Sequence, residues 1–123
     1  MNQTNGMKKA NELLHEIMEV KHVEAVFLIG RDGFVIESRG TDSTINLDAV
    51  GASVAGAISR ILELESEIDT KQLKEMYVEF YKKMLILLPV GDIFLAVAVG
   101  DTSNLASLRF KLKSIIPQII EFD

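Results

Sequence analysis

Two nearly continuous apolar runs, Met84 to Leu88 and Ile93 to Val99, stand four residues apart around Pro89-Val90-Gly91-Asp92. Each has the length of a strand, and neither shows the alternation expected of a strand with one wet face. The pair therefore predicts a hairpin of central strands covered on both sides. A chain of 123 residues, 48% of them hydrophobic, can build one such core and not two. The remaining sequence must supply helices for two faces and strands for two flanks.

It does so in order. From Lys8 to His22 the residues Ala10, Leu13, Leu14, Ile17, Met18 and Val20 recur at helical spacing. Val23 to Ile29 and Phe34-Val35-Ile36 then flank Gly30-Arg31-Asp32-Gly33, and Asp-Gly between apolar runs predicts a type I′ hairpin. After a polar linker from Ser38 to Thr44, Asn46 is placed to cap a second helix reaching about Glu67. Asp48 lies in its first turn, and Ile45 and Val50 are spaced as a hydrophobic staple.

Leu73 to Lys82 alternates, with Met76, Val78 and Phe80 on one face and Glu75, Tyr77, Glu79 and Tyr81 on the other, which predicts a third strand. The Lys82-Lys83 junction lacks the Gly or Asn that a tight turn prefers. Asp101 to Asn104 supplies caps for a third helix bearing Leu105, Leu108, Leu112, Ile115, Ile116 and Ile119, which Pro117 should kink or end. The expected fold class is α+β in the order α-β-β-α-β-β-β-α, one domain over residues 1–123 with residues 1–7 flexible.

The second helix carries the functional signal. Leu47, Val50, Val54, Ala57, Ile58, Ile61 and Ile68 form an apolar stripe for the sheet, while Ala49, Ala52, Ser53 and Gly56 occupy the opposite side. A face that meets only water favours Lys, Glu or Gln, and Gly there costs about 1 kcal/mol relative to Ala. Small residues instead let a second backbone approach, so this face is a candidate dimer interface, together with Tyr77 and Tyr81 on an unpaired strand edge. An alanine-rich helix without a partner remains the alternative. Further along, Glu63, Glu65 and Glu67 crowd the C-terminal end, where the helix dipole favours cations. Glu63 and Glu67, with Arg60, form a candidate partner-binding patch; a solvated charged end is the plainer explanation.

Several chemistries are excluded or weak. A net charge of -5 opposes phosphate backbones, so nucleic acid is not an expected partner. Zero Cys rules out disulfides, thiolate zinc sites and thiol nucleophiles, and fits a reducing compartment, with the cytoplasm expected. No apolar run approaches the ~20 residues of a membrane span, and the polar start resembles no signal peptide. His15, Glu19 and His22 fall on one helical stripe, but an exposed face lacks the second shell that a metal needs. Asp32 is explained by its turn. Neither nucleotide fingerprint is present, since Gly56 is followed by Ala57 and not by Lys. Arg31, Arg39, Arg60 and Arg109 are the only arginines, and each reads as a solvated or capping cation before it reads as an arginine finger. No catalytic residue, cofactor, metal or small-molecule substrate is assigned, and the densely apolar central strands leave little room for a ligand cavity.

The order of elements and several local motifs resemble one known family. These are Leu28-Ile29-Gly30-Arg31-Asp32-Gly33, the Leu88-Pro89-Val90-Gly91 turn, and Asp101-Thr102-Ser103-Asn104-Leu105 leading into Leu108-Arg109. From about Ala10 to Ile120 the chain is similar to the roadblock/dynein light chain domain. The resemblance implies a five-stranded antiparallel sheet in order 2-1-5-4-3, with helix two on one face and helices one and three on the other. It also implies a homodimer in which helix two and strand three pair with their copies. Family members act as dynein light chains, as scaffolds for small GTPases, and in prokaryotes as partners or activators of a Ras-like GTPase; a short chain without extensions looks most like the prokaryotic type. Ala106 departs from the family's usual Gly and is expected to loosen the start of helix three slightly. The family offers no arginine finger to carry over. The expected function is a homodimeric regulator or scaffold for a Ras-like GTPase, the alternative a purely structural adaptor. Phe110, opposite the core stripe of helix three, is the candidate contact for that alternative.

Overall fold

The computed structural model describes the backbone of residues 3–41 and 43–120 and the side chains of 9–41 and 43–119. Three helices, α1 (Gln3–Met18), α2 (Leu47–Glu67) and α3 (Leu105–Ile120), enclose strands β1 (Val23–Gly30), β2 (Val35–Arg39), β3 (Met76–Glu79), β4 (Met84–Val90) and β5 (Ile93–Val99). The strands form one antiparallel sheet in the order β2-β1-β5-β4-β3. The fold expected from the resemblance is thus the fold observed.

The central hairpin accounts for this architecture. Phe94 to Val99 are all buried and divide by parity between two cores. Leu95 and Val97 join Val26, Leu28, Ile86 and Leu88 beneath Leu14 and Ile17 of α1 and Leu108, Leu112 and Ile115 of α3. Phe94, Ala96 and Ala98 join Ala25, Phe27 and Ile29 beneath Val54, Ala55 and Ile58 of α2. Full burial of each large side chain contributes roughly 1.5–3 kcal/mol. The alanines of β1 and β5 leave space for the single helix on that face.

Local chemistry sets the element ends, with some corrections to the expected boundaries. The Asn46 side chain accepts from the Ala49 N–H at 3.1 Å and caps α2 as anticipated. The β1–β2 turn is not type I′, because only Gly33 has positive φ, at 91°. Asp32 instead keeps ordinary φ and accepts from the Phe34 N–H, while Gly33 N–H donates to Gly30 O and Gly30 N–H to Phe34 O. These bonds describe a type I turn followed by a left-handed Gly. β4 runs two residues beyond its apolar core, leaving a turn of only Gly91 and Asp92. Pro89 is tolerated within β4 because β3 pairs only with Met84 to Leu87.

α1 starts at Gln3, before the periodic pattern; residues 1 and 2 lie outside the described set. α1 ends at Met18, and His22 sits beyond it with φ 77°, off the stripe of His15 and Glu19. α3 continues through Pro117 to Ile120 rather than ending there, with Pro117 exposed in the last turn. Ala106 is exposed, so its methyl crowds nothing at the start of α3.

Candidate functional site

The face of α2 turned away from the sheet is a run of small side chains. Ala49, Ala52, Ser53 and Gly56 are all exposed, and Arg60, Glu63 and Glu67 continue the same side one and two turns later. A Cβ added at Gly56 meets nothing within 4 Å, so no contact within the chain explains a glycine there. Gly51 is the opposite case. A Cβ on it would strike the carbonyl of Gly33, and one on Gly33 would lie 3.3 Å from the Ala52 Cα. The β1–β2 turn therefore rests directly on α2, and Gly51 is a packing residue.

The expected inner stripe needs correction. Of its members only Val54 and Ile58 are buried; Leu47, Val50 and Ile61 are half-buried, Ala57 is exposed, and Ile68 lies past the helix end at 66% exposure, while Gly51 and Ala55, outside the expected stripe, are buried. Leu64, also exposed, lies on the small-residue side. Leu64 was the legible signal missed in the sequence, a lone large apolar residue among Arg60, Glu63 and Glu67.

β3 is shorter than its alternation suggested. It spans Met76–Glu79, and Phe80 to Lys83 form a turn closed by Phe80 N–H donating to Lys83 O at 2.6 Å. Tyr81 is therefore a turn residue, 95% exposed, and not part of the strand edge. Tyr77 is on the edge strand, but its ring packs toward the core beneath α1 and α3. Nearby, Arg109 holds Glu75 at 2.9 Å, and the Tyr77 hydroxyl is buried without a hydrogen-bond partner. Burial first, and then the Glu75 carboxylate, raise the Tyr77 pKa above the usual phenol range.

Met76 and Val78 face the other way, toward the α2 core, yet both are only half-buried because α2 lies chiefly over β1, β2 and β4. A groove of about 340 Å³ opens just before β3, lined by Ile61, Leu64, Ile68 and Leu73 together with Glu65, Lys71, Lys74 and Glu75. Leu64, on the small-residue side of α2, also lines this groove, and the groove ends at Glu75, immediately before β3. Phe110, 79% exposed on α3, belongs to the opposite side of the sheet and is not brought to it.

The four arginines are all engaged within the chain. Arg31 sits 5.6 Å over the Phe94 ring, Arg39 donates to Asn11, Arg60 lies 3.7 Å from Glu63, and Arg109 holds Glu75. Among the described residues no cluster suited to a metal ion occurs, and no helix is long and apolar enough to cross a membrane.

With this geometry in view, residues 9–99 match the Roadblock/LC7 domain. The chain belongs to the Roadblock/LC7 domain family. This roadblock chain is similar in fold to Myxococcus xanthus MglB, with a TM-score of 0.86 at 21% identity over 92% of this chain and 93% of that one. A Roadblock/LC7 domain from Streptomyces avermitilis gives a TM-score of 0.82 at 21% identity, covering 91% and 95%. The gliding protein MglB of Thermus thermophilus gives 0.84 at 19% identity, covering 95% and 90%. An MglB structure described as having a tetrameric arrangement also gives 0.84, at 18% identity over 95% and 89%. No curated protein matches the chain.

Proposed function

We propose that this roadblock protein is a homodimeric regulator or scaffold that binds a small Ras-like GTPase across its paired α2 helices and modulates the GTPase's nucleotide cycle or location. The observation that carries the dimer is Gly56, a helix-interior glycine on an exposed face with open space around it. The half-buried Met76 and Val78 beside the free β3 edge support the same surface. The GTPase partner rests on the family resemblance and on the likeness to MglB.

The protein supplies no catalytic group in this reading. The family resemblance offers no arginine finger to carry over, so an effect on hydrolysis runs through the GTPase's own switch loops, whose populations a bound dimer shifts. Arg60, Glu63 and Glu67 are the proposed contact residues flanking the helix pair. The test is co-elution of the purified protein with a Ras-like GTPase encoded by the same genome, in both nucleotide states, with GTP hydrolysis followed alongside. Absence of a complex in either state refutes the GTPase partner. A monomer at micromolar concentration refutes the dimer.

One observation favours a second reading, a structural adaptor that leaves hydrolysis unchanged. Phe110 is largely exposed on α3, remote from the α2 surface, and would be the contact for a different protein in this reading. Binding with an unaltered hydrolysis rate, lost on Phe110→Ala, selects the adaptor.

A further inference from the structure

The groove between the end of α2 and the 70–75 segment has one good candidate occupant in the molecule itself. We infer that the turn at the end of β3 in a second copy, led by Phe80 and Tyr81, fills this groove, with its Lys82 set against the acidic end of α2. The inference rests on the proposed dimer and names the contact that completes it.

Three observations converge. The first is exposure: Phe80 is 55% and Tyr81 95% exposed at the tip of a tight turn, and the groove walls Leu64 and Ile68 are 40% and 66% exposed. Both halves are apolar surfaces left exposed among the described residues, and a buried aromatic removes about 150–250 Å² from water. The second is position. The groove lies where β3 begins and the turn where β3 ends, so they cannot meet within one chain. Two β3 strands paired antiparallel about a two-fold axis bring the end of each beside the beginning of the other. The β3–β4 register is regular from Met76 to Glu79, and nothing in it obstructs such pairing on the free side.

The third observation is charge. α2 ends with Glu63, Glu65 and Glu67 and has no basic residue in its last turn. The turn presents Lys82, whose Nζ lies 5.8 Å from the Tyr81 ring, and Lys83, whose charge is already taken by Glu24 at 2.5 Å. Lys71 and Lys74 line the groove within the chain, and Lys82 is the further cation that the copy's turn brings toward Glu67, easing the unfavourable dipole at that helix end. Because the interface is isologous, each contact occurs twice per dimer, and every substitution is felt twice.

The test uses the full chain in sedimentation and in cysteine cross-linking, for which the absence of native Cys gives a clean background. Phe80→Ala is expected to raise the dimer dissociation constant at least about tenfold with its circular dichroism unchanged. Lys82→Glu and Glu67→Lys each weaken the dimer by roughly fivefold, and the double charge swap restores it. A chain carrying both Phe80→Cys and Leu64→Cys is expected to form a covalent dimer under mild oxidation, while neither single variant does. If Gly56→Glu splits a dimer that all the Phe80 and Lys82 variants leave intact and uncross-linked, this contact is wrong and the dimer stands. If the wild-type protein is a monomer, both fall together.

Discussion

Gly51 and Gly56 are five residues apart in the interior of α2, and exchanging each for Ala should have opposite consequences. In a helix interior Ala is favoured over Gly by about 1 kcal/mol. At Gly56 that gain comes without opposition, since a methyl there meets nothing within 4 Å of its own chain. Gly56→Ala should therefore stabilise the isolated fold by about 1 kcal/mol, near 4 °C in Tm for a domain of this size. At Gly51 the methyl would occupy the position of the Gly33 carbonyl and crowd the Val35 Cγ2 at 3.2 Å. Moving a packed turn off a helix costs about 1–3 kcal/mol, so Gly51→Ala should come out about 0–2 kcal/mol destabilising after the propensity gain is subtracted.

Urea unfolding at protein concentrations below the dimer dissociation constant reads both values, and unchanged m-values would show that only stability has moved. Raising the concentration adds the second half of the test. If α2 packs against its copy through Gly56, the same Gly56→Ala that stabilises the monomer must weaken the dimer, giving two effects of opposite sign from one methyl. Equal stabilisation by Gly51→Ala and Gly56→Ala would refute the contact between the turn and the helix. A Gly56→Ala protein that is more stable and equally dimeric would refute the close approach of two α2 backbones.

Other outcomes follow from single contacts. Asn46→Ala removes the side chain that accepts from Ala49 N–H and should cost about 1 kcal/mol in thermal or urea unfolding. The Ser103 backbone N–H, donating to the Asp101 carboxylate at 2.7 Å, holds its pKa below the usual range. That folded value lies below the unfolded one, so the contribution is present above the unfolded pKa and is lost as pH falls through the folded value. Acid titration of Asp101→Asn should lack that portion of the wild-type decline. The raised pKa of Tyr77 has the other sign: its contribution is complete below the ordinary phenol pKa and is lost as pH rises through the folded value. Tyr77→Phe removes a buried hydroxyl lying beside the Glu75 carboxylate, so it should be close to neutral near pH 7 and should flatten the alkaline limb of the stability curve.

Most of the fold was legible because its determinants are local. The apolar runs of β4 and β5, the Asn46 cap and the helical periods of α1 and α3 each declare themselves within a few residues. What misled were positions where a neighbour distant in sequence decides the outcome. Leu73 to Lys82 alternates like a long strand, yet only Met76 to Glu79 pair, because Phe80 N–H is taken by Lys83 O and the chain turns. Ile68 has helical spacing and an apolar side chain but follows the end of α2, where no sheet lies beneath it. Helical spacing puts Gly56 on the outer face of α2, but nothing local in the sequence shows that Gly51 is needed for packing; only the β1–β2 turn resting on α2 reveals that. Of the candidate site residues, Ala49, Ala52, Ser53, Gly56, Arg60, Glu63 and Glu67 share one exposed face of α2 because they share one helical period. Tyr77, Tyr81 and Phe110 are dispersed to other environments by the tertiary fold.

The two edges of the sheet differ in a way that bears on assembly. β2 pairs with β1 through an irregularity: Leu28 faces Glu37 and Ile29 faces Val35, which leaves Ile36 as an extra residue, exposed at the rim. A bulge of this kind twists and interrupts a row of backbone donors and acceptors, and it is a common device against edge-to-edge association. α1 also packs against β2, through contacts that include Arg39 with Asn11. β3 has neither protection, since its register is unbroken and α2 leaves Met76 and Val78 half-covered. A sheet with two open edges would propagate into a filament, whereas one blocked edge and one open edge related by a two-fold axis close after a single pairing. The bulge at Ile36 is thus the counterpart of the free edge at β3: if the protein dimerises as proposed, blocking one side of the sheet is what allows the other to remain open and the assembly still to stop at two copies.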